Sequence, residues 1–349
     1  MKKQRIEYID VARGVAMFFV LLGHTVNSDT WIKTFVYAFH MPLFFILSGQ
    51  ARSCQTRLSV GVKQSCKNFK KNFESMIVPY FIWGLIYSAF SIKNCLYIGY
   101  GTRETLIKAG SLSSLWFLPV LFIACAIVEV VCLAANRFKS TVVIGILGIV
   151  FAVIGCFMPH HNYYGNVWGI DIAFVAAAFM IIGWLLRPVC DRLLLRKDIS
   201  LPACFIALVL FVLGTKYLSE PGSYVLMANA VYGNYVTFFM NAVTGSAVVI
   251  LCSILICQFA KKEVKIFDFI KTAFVKTGGN SLGIFVVHKP VVEILRKLVV
   301  KAGFDYNQII FAVGISLVGF CISYFIVKLI NCIIPEVLGK KRCVLPEKD

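Results

Sequence analysis

Arg13 and His24 stand eleven residues apart in one apolar run. At 100° per residue that spacing closes to within about 20° of whole turns, so on a helix both point the same way, about 16 Å apart along the axis. One face would then carry a guanidinium, suited to phosphate by charge and donor geometry, and an imidazole, the side chain best placed to move protons near neutral pH. Asp10 lies one turn before Arg13 and can pair with it. A second histidine, His40, opens the pattern His40-Met41-Pro42-Leu43-Phe44-Phe45-Ile46-Leu47-Ser48-Gly49, at a depth comparable with His24. Pro42 cannot donate its backbone hydrogen bond and frees backbone groups nearby. A third, His288, is followed by Lys289 and Pro290 in the middle of a late apolar run. A lysine at that depth requires a partner or a polar cavity.

Each of these residues has a plainer role to weigh. Asp10 and Arg13 sit close enough to the end of their run to snorkel. Ser48-Gly49 suits close helix packing, and Asn280-Ser281 suits a helix cap. Tyr80 and Trp116 fit an interfacial aromatic belt.

The elements that must position these groups are membrane spans. The 349 residues are 59% hydrophobic and only 15% charged, with a mean hydropathy of +0.81. Soluble domains are less apolar and about a quarter charged. A spanning helix needs about 20 mainly apolar residues, and ten such segments are expected: 8–26, 34–51, 77–95, 114–135, 141–158, 169–187, 201–218, 236–259, 279–299 and 307–333. The expected fold is therefore all-α and polytopic, a single membrane domain over 1–349. The stretch 219–235, broken by Pro221, Gly222, Gly233 and Asn234, reads as an outer loop or re-entrant piece.

The net charge of +18 does not point to nucleic acid, because Lys and Arg cluster in alternate short loops. Their imbalance, roughly three to one, places both termini in the cytoplasm by the positive-inside rule. Thirteen cysteines are scattered without a CxxC pair, so neither a metal site nor a disulfide framework is signalled. The first apolar run has no small-residue cleavage site after it and reads as a retained span rather than a signal peptide. Aromatic and histidine residues in the outer loops (Tyr97, Tyr100, His160, His161, Tyr163, Tyr164, Trp168 and Tyr224) suit either stacking on sugar rings or the interfacial belt.

Four pieces, in order, resemble the acyltransferase-3 family of ten-span membrane acyltransferases, in particular its fucose 4-O-acetylase-like branch. They are Asp10-x-x-Arg13-Gly14 through His24, His40-x-Pro42-Leu43-Phe44-Phe45-x-x-Ser48-Gly49, Ile77-Val78-Pro79-Tyr80, and Trp116-Phe117-Leu118 with Gly279-x-Ser281 through His288. The resemblance implies transfer of an acyl group, usually acetyl, from acetyl-coenzyme A to a hydroxyl of a surface carbohydrate at the cell membrane, without a metal. It marks His24 as general base, with Arg13, Asp10, His40 and His288 in the catalytic set. Donor binding falls to Arg13, Ser48, Lys70, Lys71, Tyr80, Asn280 and Ser281, and His40, Ser48 and Asn280 are the candidate oxyanion donors. Relatives usually carry arginines just before Ile-x-Pro-Tyr. Here Asn72, Glu74 and Ser75 stand there, with Lys70 and Lys71 displaced upstream. The competing expectation is a proton-coupled secondary transporter, since ten spans with broken helices and midplane His and Lys suit such a carrier too. Nothing in the sequence fixes the acceptor or the oligomeric state.

Overall fold

The structure, a computed structural model, describes residues 6–27, 30–52, 61–88, 92–102, 105, 110–138, 140–158, 165–217, 224–261, 264–306 and 308–340. Among them the regular structure is helical, with one isolated bridge between Leu226 and Val231. The helices are α1 Glu7–Thr25, α2 Trp31–Arg52, α3 Val62–Asn72, α4 Val78–Tyr87, α5 Ile92–Tyr100, α6 Phe117–Phe138, α7 Val142–Phe157, α8 Ile170–Leu193, α9 Lys197–Tyr217, α10 Tyr235–Ala260, α11 Lys265–Gly278, α12 Ser281–Lys301 and α13 Ile309–Ile333. Seven of them, α1, α2, α6, α8, α9, α10 and α13, are long and apolar enough to cross a membrane. The shorter apolar helix Val142–Phe157 adds to them. The protein is an all-α polytopic membrane protein.

The expected third span departs most from its sequence reading. The segment 77–95 is not one helix: α4 ends at Tyr87 and α5 begins at Ile92. Upstream, α3, a π-helical segment Phe73–Ile77 and α4 follow one another without a break, and the residues at both junctions keep right-handed helical backbone. This run of helix begins in a basic stretch that hydropathy assigns to a loop. α3 is held there by Ser65 and Asn68, which both donate to the Glu129 carboxylate of α6, at 3.3 and 3.1 Å, and by Phe69, whose ring lies 5.1 Å from that of Phe122. α5 then folds back on α4, where Gly84 lets Ile98 approach so closely that a Cβ would sit 2.9 Å from its side chain.

α1 and α2 form the centre, and the bundle closes on them through glycines. A Cβ on Gly49 of α2 would lie 1.9 Å from the Met180 carbonyl oxygen of α8, and one on Gly183 of α8 would lie 2.0 Å from that of Ile46. The two backbones touch, as small residues permit in membrane bundles. Gly278, at the end of α11, meets α1 the same way: its Cβ would stand 1.8 Å from the Asp10 carbonyl oxygen. That contact fixes the start of α12 beside the Arg13 end of α1.

At the other end of α1 the residues flanking His24 are pinned individually. Lys33 donates to the Gly23 carbonyl at 2.5 Å. The Thr25 hydroxyl donates to Leu22 O and pairs with Ser316 Oγ of α13 at 2.7 Å, while Arg296 of α12 donates to Thr25 O at 3.3 Å.

Candidate functional site

Arg13 and His24 open into two different cavities stacked along α1. The histidine cavity has a volume of about 230 Å³ and is bordered by His24, His40, Tyr37, Ser113, Trp116 and Trp168, among others. The basic cavity, about 270 Å³, is bordered by Arg13, Ser48, Arg52, Asn280, Ser281 and Lys340, among others. Phe285 of α12 borders both. Its ring lies 4.9 Å from that of Phe117 and 5.4 Å from that of His288, and Phe117 in turn stands 5.8 Å from Phe44. An aromatic partition thus separates the two chambers.

In the histidine cavity, the His24 ring lies 5.2 Å from the His288 ring, tilted by 38°. His288 is fully buried. Its Nδ1 is 2.5 Å from Phe285 O, and since a carbonyl only accepts, Nδ1 carries the proton and Nε2 is the basic nitrogen. That Nε2 is buried without a hydrogen-bond partner. His40 is oriented in the same way by Val36 O, 2.8 Å from its Nδ1, and its ring packs 4.8 Å from Tyr37. Backbone carbonyls therefore fix two imidazoles as acceptors at Nε2, while among the described residues no backbone carbonyl holds His24 in this way.

Lys289 finds its polar partner in Ser113, to whose Oγ it donates. The Ser113 hydroxyl, which borders the cavity, accepts that bond and keeps its own proton to donate. Sequence reasoning identified Lys289 as needing a partner but had no signal for Ser113, which is 176 positions away.

The far wall comes from the stretch 219–235, read from sequence as an outer loop or re-entrant piece. Residues 225–229 line it, closed by the Leu226–Val231 bridge. Of the outer aromatics, Trp168 borders the cavity and donates to Gly99 O at 3.0 Å. Tyr224 instead packs 5.2 Å from Tyr37. His160, His161, Tyr163 and Tyr164 lie outside the described residues. Trp168 (φ 53°) and Ala230 (φ 49°) are the non-glycine residues with left-handed backbone among those described, a conformation that costs about 1 kcal/mol or more for a side chain with Cβ. Trp168 borders this cavity, and Ala230 directly follows the lining residues 225–229.

Beside the basic cavity, Asp10 Oδ1 stands 3.6 Å from Arg13 Nη1, as the one-turn spacing implies. Ser48, Asn280 and Ser281 border the same space. Gly49 serves packing while its neighbour Ser48 faces the cavity, so the two readings of that dipeptide divide between its residues. Asn280 is not a side-chain cap for α12. Its Oδ1 accepts from Asn331 at 2.9 Å and from Lys340 at 2.7 Å. Lys70 and Lys71 line an adjacent depression with Lys67 and Glu74; it shares Ser75 and Gly339 with the basic cavity. Tyr80 borders neither chamber. It is buried, and its hydroxyl donates to Ile98 O at 2.8 Å. Arg52 and Lys340 were not anticipated as site residues. Of the three candidate oxyanion donors, only His40 shares a chamber with His24.

Residues 6–328 match the model of the family described as an acyltransferase domain, Acyl_transf_3. The chain belongs to the acyltransferase-3 family. Family membership and the apolar helices together make it a membrane acyltransferase. Comparison with curated proteins and with solved structures gives no match. Among the described residues no group of three or more His, Cys, Asp and Glu is placed to hold a metal ion.

Proposed function

We propose that the enzyme transfers an acyl group, acetyl being the expected one, from cytoplasmic acyl-coenzyme A to a hydroxyl of an extracytoplasmic carbohydrate. The observation that carries this reading is the pair of chambers on one face of α1, cationic beside Arg13 and imidazole-lined beside His24, divided by Phe285. An acyl-coenzyme A is polyanionic at one end and reactive at the other. Its phosphates suit the basic cavity, and its pantetheine arm is of the same order as the ~16 Å from Arg13 to His24, so the thioester reaches past Phe285.

In this reading the acceptor hydroxyl oxygen attacks the thioester carbonyl carbon, and His24 removes the hydroxyl proton as the bond forms. The tetrahedral intermediate carries its charge on the former carbonyl oxygen. Ser113, accepting from Lys289 and with its own proton available, is the best-placed donor to that oxygen. His40 in its carbonyl-fixed tautomer offers no N–H at Nε2, which argues against the same role. Collapse breaks the C–S bond, and the proton on His24 passes to the coenzyme A thiolate. His288 backs His24 and sets its ring position, while Asp10 holds Arg13.

The test is reconstitution of the chain in vesicles with acetyl-coenzyme A inside and cell-envelope glycan outside. Free thiol should appear inside as acetyl mass appears on the glycan. His24→Ala should lower both by about a thousandfold while the protein stays folded, and wild-type acetylation by this variant would falsify the mechanism.

A further inference from the structure

Just before Ile77-Val78-Pro79-Tyr80 this chain has Asn72, Glu74 and Ser75, none of them a cation. The fold brings two cations to that ground from elsewhere. Arg52, at the end of α2, donates from NH2 to Asn72 Oδ1 at 3.0 Å and from NH1 to Ser48 O at 3.4 Å. Lys340 arrives on a strap that follows α13. A short 3₁₀ turn, Pro335–Leu338, ends at Gly339 in left-handed backbone (φ 66°). The strap is seated firmly: Trp83 donates to Val337 O at 3.0 Å, and Leu338 is buried against Gly283. Gly339 lies so close to Ser75 that a Cβ would stand 2.6 Å from the Ser75 Cα. The positive φ and this contact together require glycine.

We propose that this strap, through Lys340, and Arg52 form the anion-binding wall of the donor cavity, taking the phosphates of the nucleotide end of the acyl donor. This rests on the acyl-coenzyme A reading above. Three features support it. Arg13, Arg52 and Lys340 border one space, with no Asp or Glu among the described residues lining it. Ser75 and Gly339 form a sill between that space and the depression holding Lys67, Lys70 and Lys71, so phosphates at two positions of one nucleotide can be met from both sides. Finally, Lys340 can leave Asn280 without orphaning it, because Asn280 Oδ1 also accepts from Asn331. An incoming phosphate thus gains a charge-assisted hydrogen bond from Lys340 and leaves Asn280 Oδ1 paired. The strap lies beyond residue 328, where the family match ends.

The experiment is titration of the purified full-length chain with coenzyme A and with adenosine 3′,5′-bisphosphate, at low and high salt. Lys340→Ala and Arg52→Gln should each weaken both ligands about fivefold and flatten the salt dependence. Lys340→Arg keeps the charge and should stay within about twofold of wild type. Gly339→Ala removes no charge, yet should weaken binding as much as Lys340→Ala because it unseats the strap. Wild-type affinity in both Lys340→Ala and Arg52→Gln overturns the proposal and leaves the acyl-coenzyme A reading standing. A wild-type chain that binds neither probe overturns both.

Discussion

The two chambers along α1 differ in how their functional groups are held, although irregular backbone borders both. The histidine cavity is held rigidly: Gly23 and Thr25 on either side of His24 are tied to Lys33, Ser316 and Arg296, and two further imidazoles are locked by backbone carbonyls. The basic cavity is assembled from irregular backbone: a π-helical segment, the Gly278-Gly279 junction and the C-terminal strap. Its cations hang on long side chains with partners they can exchange. The difference fits the division of labour in acyl transfer. Proton transfer and charge stabilisation demand fixed geometry, whereas capture of a flexible polyanion needs only charge within reach.

Substitutions can break or sharpen this contrast. After His24, the largest effect should come from Ser113→Ala, which removes the proposed oxyanion donor and leaves Lys289 without its hydroxyl partner. We expect a fall in kcat of about a hundredfold with little change in KM for the donor, measured by thiol release. An equal change in both parameters would move Ser113 from the chemistry to donor binding. Arg13→Gln should show the opposite signature, a rise of about tenfold in donor KM with kcat nearly kept. A kcat defect instead would mean that Arg13 acts on the reacting end. The smallest effect is expected for Phe285→Ala, which joins the chambers. It should raise coenzyme A release without acceptor by about threefold as water reaches the thioester. Unchanged background hydrolysis would show that the partition does not exclude water.

Much of the helical plan was legible because hydropathy reports it directly. The expected spans 8–26 and 34–51 match α1 and α2 within three residues at each end. The eleven-residue spacing placed Arg13 and His24 on one face of α1, since helical phase depends only on residue number, but it implied one passage, whereas the two residues border separate cavities. What the sequence hid was long-range. The run 77–95 reads as one apolar span, yet its first part continues a basic helix from Val62 that Glu129 anchors from α6. Hydropathy cannot register a helix stabilised by a distant carboxylate. Ser113, Arg52 and Lys340 escaped for a related reason, as each gains its role from a partner on another element. Tyr80 shows the reverse: its motif marked it for donor binding, while its hydroxyl is spent on Ile98 O.

The most direct test of the stacked-chamber account is a cryo-EM structure of the chain with a non-hydrolysable thioether analogue of acetyl-coenzyme A. The account predicts nucleotide density against Arg13, Arg52 and Lys340, with the arm passing Phe285 and the acyl carbon beside His24 and Ser113. Nucleotide density in the histidine cavity, or an arm that stops short of Phe285, would contradict it.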